Sequence, residues 1–289
     1  MEQRWAEIAV GASGDAAQEA AGAILTGDTV GAAGYAAGAQ TVTAYLPVDE
    51  RLENTLLALK AALTQAKRAF RIPGISDEVT VRFVAEEDWA TAWKQYFKPQ
   101  KIGARFVVKP TWEEYDAAPG DLIIQIDPGM AFGTGLHATT RLCLRGLEAR
   151  VFPGASVADV GTGSGILAIG AALLGAGRVV GVDNDPLAVR IAAENIAVNG
   201  VGETVSATEA SEPPPSAFDI VVANILAHVI IALAAELFRA TKPGGVLITS
   251  GILAGDSARQ VAARLVAAGF ETPEIAEEGE WASVTARRA

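Results

Sequence analysis

Val157-Ala-Asp-Val-Gly-Thr-Gly-Ser-Gly-Ile166 decides how the rest of the chain folds. Residues 157–160 are a short, mostly apolar run of the length of a buried strand. They lead straight into Gly161, Gly163 and Gly165, and residues 166–174 are apolar and rich in the helix formers Ala and Leu. A strand, a glycine turn and a helix aim a helix N-terminus at a ligand, typically an anionic one. Glycine lets the backbone approach that ligand closely and take up positive φ. The plain alternative is a tight βα turn with no ligand, but three alternate glycines weaken such a turn unless something needs the room.

Working outward, strand and helix patterns alternate from Asp121 onward. Strands are expected at 122–126, 157–160, 179–182, 204–207, 218–223, 245–250, 270–275 and 281–286. Helices are expected at 139–149, 166–174, 186–199, 226–240 and 256–268, with a proline-bearing loop at 209–216. Repeated βα units predict a doubly wound, mostly parallel Rossmann-like sheet over residues 119–289.

Residues 1–84 read as a separate small α+β domain in the ferredoxin-like order βαββαβ. Its strands are expected at 5–10, 29–35, 41–48 and 79–84, with an alanine-rich helix at 15–25. Leu52, Leu56, Leu59 and Leu63 recur at helical spacing and mark a second helix over 49–70. RNA-recognition domains share this order and stack bases on strand aromatics in a basic segment. Here strand 41–48 offers only Tyr45, and residues 1–84 carry seven Lys/Arg against ten Asp/Glu. That balance favours protein recognition or packing over nucleic acid.

Between the domains, residues 85–118 hold Trp89, Trp93, Tyr96, Phe97, Phe106 and Trp112, three of the five tryptophans in the chain. Trp89, Trp93 and Phe97 share a helical face. A disordered connector would be poor in aromatics. Two readings stay open, an ordered linker helix or the first helix of the second domain.

Composition narrows the setting. The 289 residues are 50% hydrophobic with a net charge of −11, which disfavours non-specific nucleic-acid binding. A single cysteine, Cys143, forbids an intrachain disulfide and suits a reducing, cytoplasmic compartment. The charged start Met1-Glu-Gln-Arg-Trp-Ala-Glu7 does not read as a signal peptide. The apolar run 220–237 contains Asn224, His228 and Glu236 and reads as soluble core, so no membrane contact is expected. With two histidines and one cysteine no zinc set can be assembled. His228 and Cys143 read as structural, the latter as a buried thiol.

In a doubly wound sheet the ligand lies beyond the carboxyl ends of the strands. Asp183 ends the strand after the glycines, 22 positions beyond Gly161, where an acidic residue binds ribose hydroxyls. The nicotinamide spacing Gly-x-Gly-x-x-Gly is broken by Ile166, which disfavours a dehydrogenase. Gly-x-Gly-x-Gly with Asp159 two positions before it is characteristic of S-adenosylmethionine (AdoMet) enzymes, whose ligand has no pyrophosphate. Asn224 closes a third strand, where its side-chain carbonyl can accept from an amine and aim the nitrogen lone pair. Its other reading is a cap for the helix near Leu226. His137 is the only nearby general-base candidate, and it could instead orient its loop.

The run Asp127-Pro-Gly-Met-Ala-Phe-Gly-Thr-Gly-Leu-His-Ala-Thr-Thr-Arg-Leu-Cys-Leu144 resembles the signature of the PrmA family, methyltransferases of the large-subunit ribosomal protein L-eleven. Asp159 to Ile169, Val222 to Ala227 and Ser250 to Ala254 are similar to further motifs of that family, in the same order. Asp88-Trp89 with Trp93, Phe97-Lys-Pro99 and Lys109-Pro-Thr-Trp112 extend the similarity into the connector. The resemblance implies a class I AdoMet fold, a ferredoxin-like substrate-recognition domain and an ordered linker. It also implies methylation of lysine ε-amines and the N-terminal α-amine of the ribosomal protein. The enzyme is expected to be a monomer. By matching position the resemblance assigns cofactor contacts to Thr140, Gly161, Gly163, Asp183 and Asn224, and a substrate loop to Phe132, Gly133 and Thr134. A methyltransferase of another protein or of a small-molecule amine is the alternative, and a non-catalytic AdoMet- or nucleotide-binding module is the reading from another class. Two departures stand out. The family's Gly-Thr-His-Pro-Thr-Thr is Gly135-Leu-His-Ala-Thr-Thr140 here, and its Gly-Cys-Gly is Gly161-Thr-Gly163. Loss of the proline removes a fixed φ at the start of a helix.

Overall fold

A computed structural model describes residues 5–26, 35–37, 40–48, 52–69, 73–84, 98–127, 137–213 and 217–289. The chain divides into two compact units, Met1–Lys98 and Pro99–Ala289.

In the first unit the order is β1 (Trp5–Ala12), α1 (Asp15–Thr26), β2 (Tyr35–Ala37), β3 (Thr41–Pro47), α2 (Leu52–Ala69) and β4 (Ile75–Val84). The strands form an antiparallel sheet in the order β2-β3-β1-β4. Alternation sets its buried face: Ala6, Ile8 and Val10 of β1 and Val42, Ala44 and Leu46 of β3 pack with Leu59 and Leu63 of α2. Tyr45 is buried, and its hydroxyl donates to Glu7 Oε2 at 3.0 Å, so its ring is not laid open for stacking. The expected strand start at 29–34 and the helix ends at 49–51 and 70 lie outside the described residues.

The second unit opens with a small sheet, β5 (Gln100–Ile102), β6 (Phe106–Lys109) and β7 (Leu122–Gln125), with β6 and β7 parallel. The aromatic face Trp89, Trp93 and Phe97 lies outside the described residues. From Gln100 the same segment is strand and turn rather than helix, and Phe106 is fully buried in the main core.

The larger sheet contains β8 (Ser156–Val160), β9 (Arg178–Asp183), β10 (Val205–Glu209), β11 (Phe218–Asn224), β12 (Thr241–Leu253), β13 (Glu274–Glu278) and β14 (Trp281–Arg287). Its order is β10-β9-β8-β11-β12-β14-β13. Strands β8 to β12 are parallel, while β14 is antiparallel to both of its neighbours. The helices are α3 (Ala138–Arg150), α4 (Ile166–Leu173), α5 (Pro186–Val198), α6 (Ala227–Ala232), α7 (Ala234–Ala240) and α8 (Asp256–Ala268). Two apolar clusters, on either side of the sheet's buried strands, make the core. Val157, Val179, Ile220, Val222 and Ile248 belong to one, Ala158, Val221, Ala223, Leu247 and Val284 to the other.

The order of strands reverses between β8 and β11, and a doubly wound sheet opens its ligand crevice at that point. At the amino ends of the same strands, Asp219 Oδ2 accepts from Ser156 N (2.9 Å), Ser156 Oγ (2.5 Å) and Lys242 Nζ (2.9 Å). Partial burial pushes the Asp219 carboxyl up, but these donors outweigh it and hold the group at about 2.

Two elements differ from the sequence pattern. The helix expected over 226–240 is two helices that meet at Leu233, whose ψ of 7° takes it out of helical geometry. The strand expected from Phe270 begins at Glu274, because Pro273 has no N–H to give to a ladder, and Phe270 keeps only an isolated bridge to Arg288.

Candidate active site at the switch point

The glycine turn leaves β8 with Gly161, Gly163 and Gly165 all at positive φ (73°, 53° and 82°). Space matters at Gly161 as much as conformation. A Cβ there would lie 2.3 Å from Ile225 Cγ2, the side chain next to Asn224. Gly251, at φ 82°, closes on the same residue from the other side, and a Cβ would stand 2.3 Å from Ile225 O. Ile225 is therefore clasped between the glycine turn and β12, which registers the end of β11 against the end of β8.

The amides of the turn are already bonded within the protein. Gly161 N and Thr162 N both donate to Val182 O, at 2.8 and 2.9 Å. Gly163 N donates to Asp183 Oδ2 at 2.9 Å, and Asp185 N to Asp183 Oδ1 at 3.1 Å. Ala168 N, in the first turn of α4, donates to Asp159 Oδ2 at 3.1 Å, and Thr162 Oγ1 donates to the same oxygen at 2.8 Å. The N-terminus of α4 is thus met from within the chain, by a fully buried carboxyl. A turn built this way offers room and a carboxylate rim at Asp183, and fewer free amides than a pyrophosphate needs. Burial pushes the Asp159 carboxyl up to about 7, against the pull of Thr162 and Ala168, and the charge of Asp183 adds to the rise. Its Oδ1 has no hydrogen-bond partner among the described residues. Cys143 is buried as expected, and desolvation, with a smaller push from Asp159, raises its thiol far above the usual range.

Across the crevice, Asn224 closes β11. Its Nδ2 donates to Thr140 Oγ1 at 3.4 Å, which turns Oδ1 the other way. That oxygen is buried and has no partner among the described residues. The capping alternative is not what the amide does, since Leu226 is the N-cap of α6 and no side chain caps it. Thr140 is itself fully buried on the first turn of α3. His137 is the N-cap of that helix: its Nδ1 accepts from Thr139 N at 3.4 Å and lies 2.7 Å from Thr139 Oγ1. The helix therefore starts at Ala138 with His137 as its side-chain cap and without a proline at its first position.

Of the residues expected from sequence, Thr140, Gly161, Gly163, Asp183 and Asn224 are brought together at one end of the sheet, and His137 stands at the start of the helix that carries Thr140. Phe132, Gly133 and Thr134 lie outside the described residues. Sequence reasoning missed the roles of Asp159 as the buried acceptor behind the glycine turn and of Ile225 as a register pin. The glycine of the Ser250-Gly-Ile-Leu-Ala254 motif was the available signal for the second.

A doubly wound sheet with β14 inserted antiparallel, a Gly-x-Gly-x-Gly turn whose glycine amides are bonded within the chain and an acidic residue at the next strand end define a class I AdoMet-dependent methyltransferase. The chain belongs to the ribosomal protein L11 methyltransferase (PrmA) family, whose model matches residues 4–289. A ribosomal protein L11 methyltransferase of Pelotomaculum thermopropionicum is 52% identical over 252 residues, covering 86% of this chain and 80% of its own length. One from Chloroflexus aurantiacus is 43% identical over 270 residues, covering 84% and 81%. The crystal structure of a ribosomal protein L11 methylase from Lactobacillus delbrueckii subsp. bulgaricus superposes with a TM-score of 0.62 at 32% identity, over 67% of this chain and all of that one.

Proposed function

We propose that this protein transfers methyl groups from AdoMet to lysine ε-amines and to the N-terminal α-amine of ribosomal protein L11. The observation that carries this reading is Asn224: its amide is held by Thr140 while its buried Oδ1 has no partner among the described residues. A buried acceptor without a donor is costly, and an amine N–H supplies the missing donor.

AdoMet supplies a methyl already activated on a sulfonium, so the protein's task is alignment. Thr140, Gly161, Gly163 and Asp183 would hold it, with Asp183 placed for the ribose hydroxyls. Asn224 Oδ1 accepts one N–H of the incoming amine and so points its lone pair along the line of transfer. The amine forms its bond to carbon as the carbon–sulfur bond breaks, and the surplus proton leaves to water. A free lysine is about one part in a thousand neutral near pH 7.4. Burial beside a cationic group lowers its pKa and raises that fraction. His137 has Nδ1 committed to the cap of α3, which supports an orienting role over that of a base.

Residues 1–84 serve as the substrate-recognition domain and the first part of 85–118 as the connector, since from Pro99 that segment belongs to the catalytic unit. The negative balance of residues 1–84 suits a basic ribosomal protein and disfavours direct RNA binding. The enzyme acts as a monomer in the cytoplasm, where that acceptor is made. Among the described residues no helix is long and apolar enough to cross a membrane.

The test is mass spectrometry of isolated ribosomal protein L11 after incubation with enzyme and isotopically labelled AdoMet. Mass gains in single-methyl steps on lysines and the N-terminus are expected. Transfer to a small amine but not to this protein overturns the substrate reading. AdoMet binding with no transfer to either overturns the enzymatic one.

A further inference from the structure

His137, Arg141 and Arg145 recur at a spacing of four and so share one face of α3. All three meet the tip of the β13–β14 hairpin. Gly279, at φ 61°, lets that hairpin close tightly, which places Glu278 directly opposite Trp281. The Trp281 ring meets His137 edge to face, with centroids 4.9 Å apart. Glu278 Oε1 accepts from Arg141 Nε at 2.6 Å and lies 2.5 Å from its Nη2, while Oε2 accepts from Arg145 Nη1 at 2.6 Å. Arg141 and Glu278 are only 28% and 25% exposed. A planar guanidinium on a carboxylate fixes direction as well as distance.

Thr140 stands one position before Arg141 on the same turn, and its Oγ1 holds the Asn224 amide at 3.4 Å. That separation is at the outer limit of a hydrogen bond, so a few tenths of an ångström of movement in α3 would release it. A released amide can turn over and present its NH2 group to the acceptor. An amine needs an acceptor there, so the flipped amide has the wrong polarity.

We propose that Glu278 and Trp281 are positioning residues for methyl transfer: they fix the first turn of α3, and through Thr140 they set the direction of Asn224 Oδ1. The proposal rests on the reading of Asn224 as the amine-orienting residue, and neither hairpin residue touches the reacting atoms. It accounts for a half-buried carboxylate at a hairpin tip that holds two arginines of α3. It also gives the antiparallel end of the sheet a part in the reaction.

The experiment compares wild type, Glu278→Gln, Arg141→Met and the double variant. The measurements are kcat and KM for ribosomal protein L11, AdoMet affinity by calorimetry, the unfolding midpoint and the side-chain amide resonance of Asn224. Glu278→Gln is expected to lower kcat roughly 10- to 100-fold with AdoMet affinity held within about twofold. The double variant should be no worse than the poorer single one, because both break one device. The Asn224 resonance should shift in each. An unmoved resonance, or full kcat in Glu278→Gln with only the unfolding midpoint lowered, overturns the proposal. If wild type transfers no methyl to the ribosomal protein, it is the functional reading that fails, and the resonance still decides the coupling.

Discussion

The two sides of the crevice are built on opposite terms. On the glycine-turn side the backbone amides answer groups within the chain, Gly161 and Thr162 to Val182, Gly163 to Asp183 and Ala168 to Asp159, and the oxygen without a partner among the described residues, Asp159 Oδ1, is on a fully buried side chain behind the turn. On the β11 side Asn224 keeps one buried oxygen without a partner among the described residues. The first side is a shaped space with a carboxylate rim, and the second has a direction. A donor whose methyl is already activated needs to be held in the right place. An amine with several possible orientations needs to be pointed. The contrast matches where each would sit.

The largest effect should follow loss of the direction. Asn224→Ala is expected to cut methyl transfer about 100- to 1000-fold, roughly 3–4 kcal/mol of transition-state stabilisation. AdoMet affinity should fall far less, and calorimetry beside single-turnover kinetics separates the two. Equal losses in both would erase the contrast. Next comes loss of the space. Gly161→Ala meets Ile225 at 2.3 Å and forces a positive φ of 73° on a residue with a side chain. Strain and overpacking together should cost about 2–4 kcal/mol in denaturant unfolding, with AdoMet affinity reduced as well. Asp183→Ala should be smaller, about tenfold in AdoMet affinity with stability nearly intact, although it also frees Gly163 N. Unchanged affinity would remove the ribose role.

Much of this was legible in the sequence because it depends on local pattern. Alternate glycines after an apolar run, an acidic residue 22 positions on and an asparagine at a third strand end are visible without coordinates. What was not legible depends on distance in space. Glu278 and Arg141 are 137 positions apart, and no periodicity links a hairpin tip to a helix start. Ile225 looks like any core residue until Gly161 and Gly251 are seen against it. Asp159 shows in the sequence as a spacing mark, yet only the structure reveals it as a fully buried carboxyl that accepts from the start of α4. The strands at 100–109 were hidden for another reason: Phe106 lies among aromatics that carry a helical repeat, and the repeat drew the reading.

The smallest effect tests the buried carboxyl behind the glycine turn. Asp159 has its carboxyl raised from 3.8 to about 7, chiefly by burial. A folded value above the unfolded one means that the native state binds the proton more tightly. The associated stability is present in full below the unfolded value near 3.8, declines as pH rises, and is lost once pH passes the folded value of about 7. Without AdoMet, the unfolding midpoint of the wild type should therefore fall between pH 5 and pH 8 by more than that of Asp159→Asn, which cannot ionise. A sulfonium and an ammonium brought near the turn favour the ionised carboxyl, so saturating AdoMet should flatten the wild-type slope toward that of the variant. Scanning fluorimetry at several pH values, with and without AdoMet, measures all four curves. If the wild type and Asp159→Asn keep parallel profiles in the absence of AdoMet, Asp159 is ionised throughout. The glycine-turn side would then hold a permanent buried charge rather than one that waits for a cation.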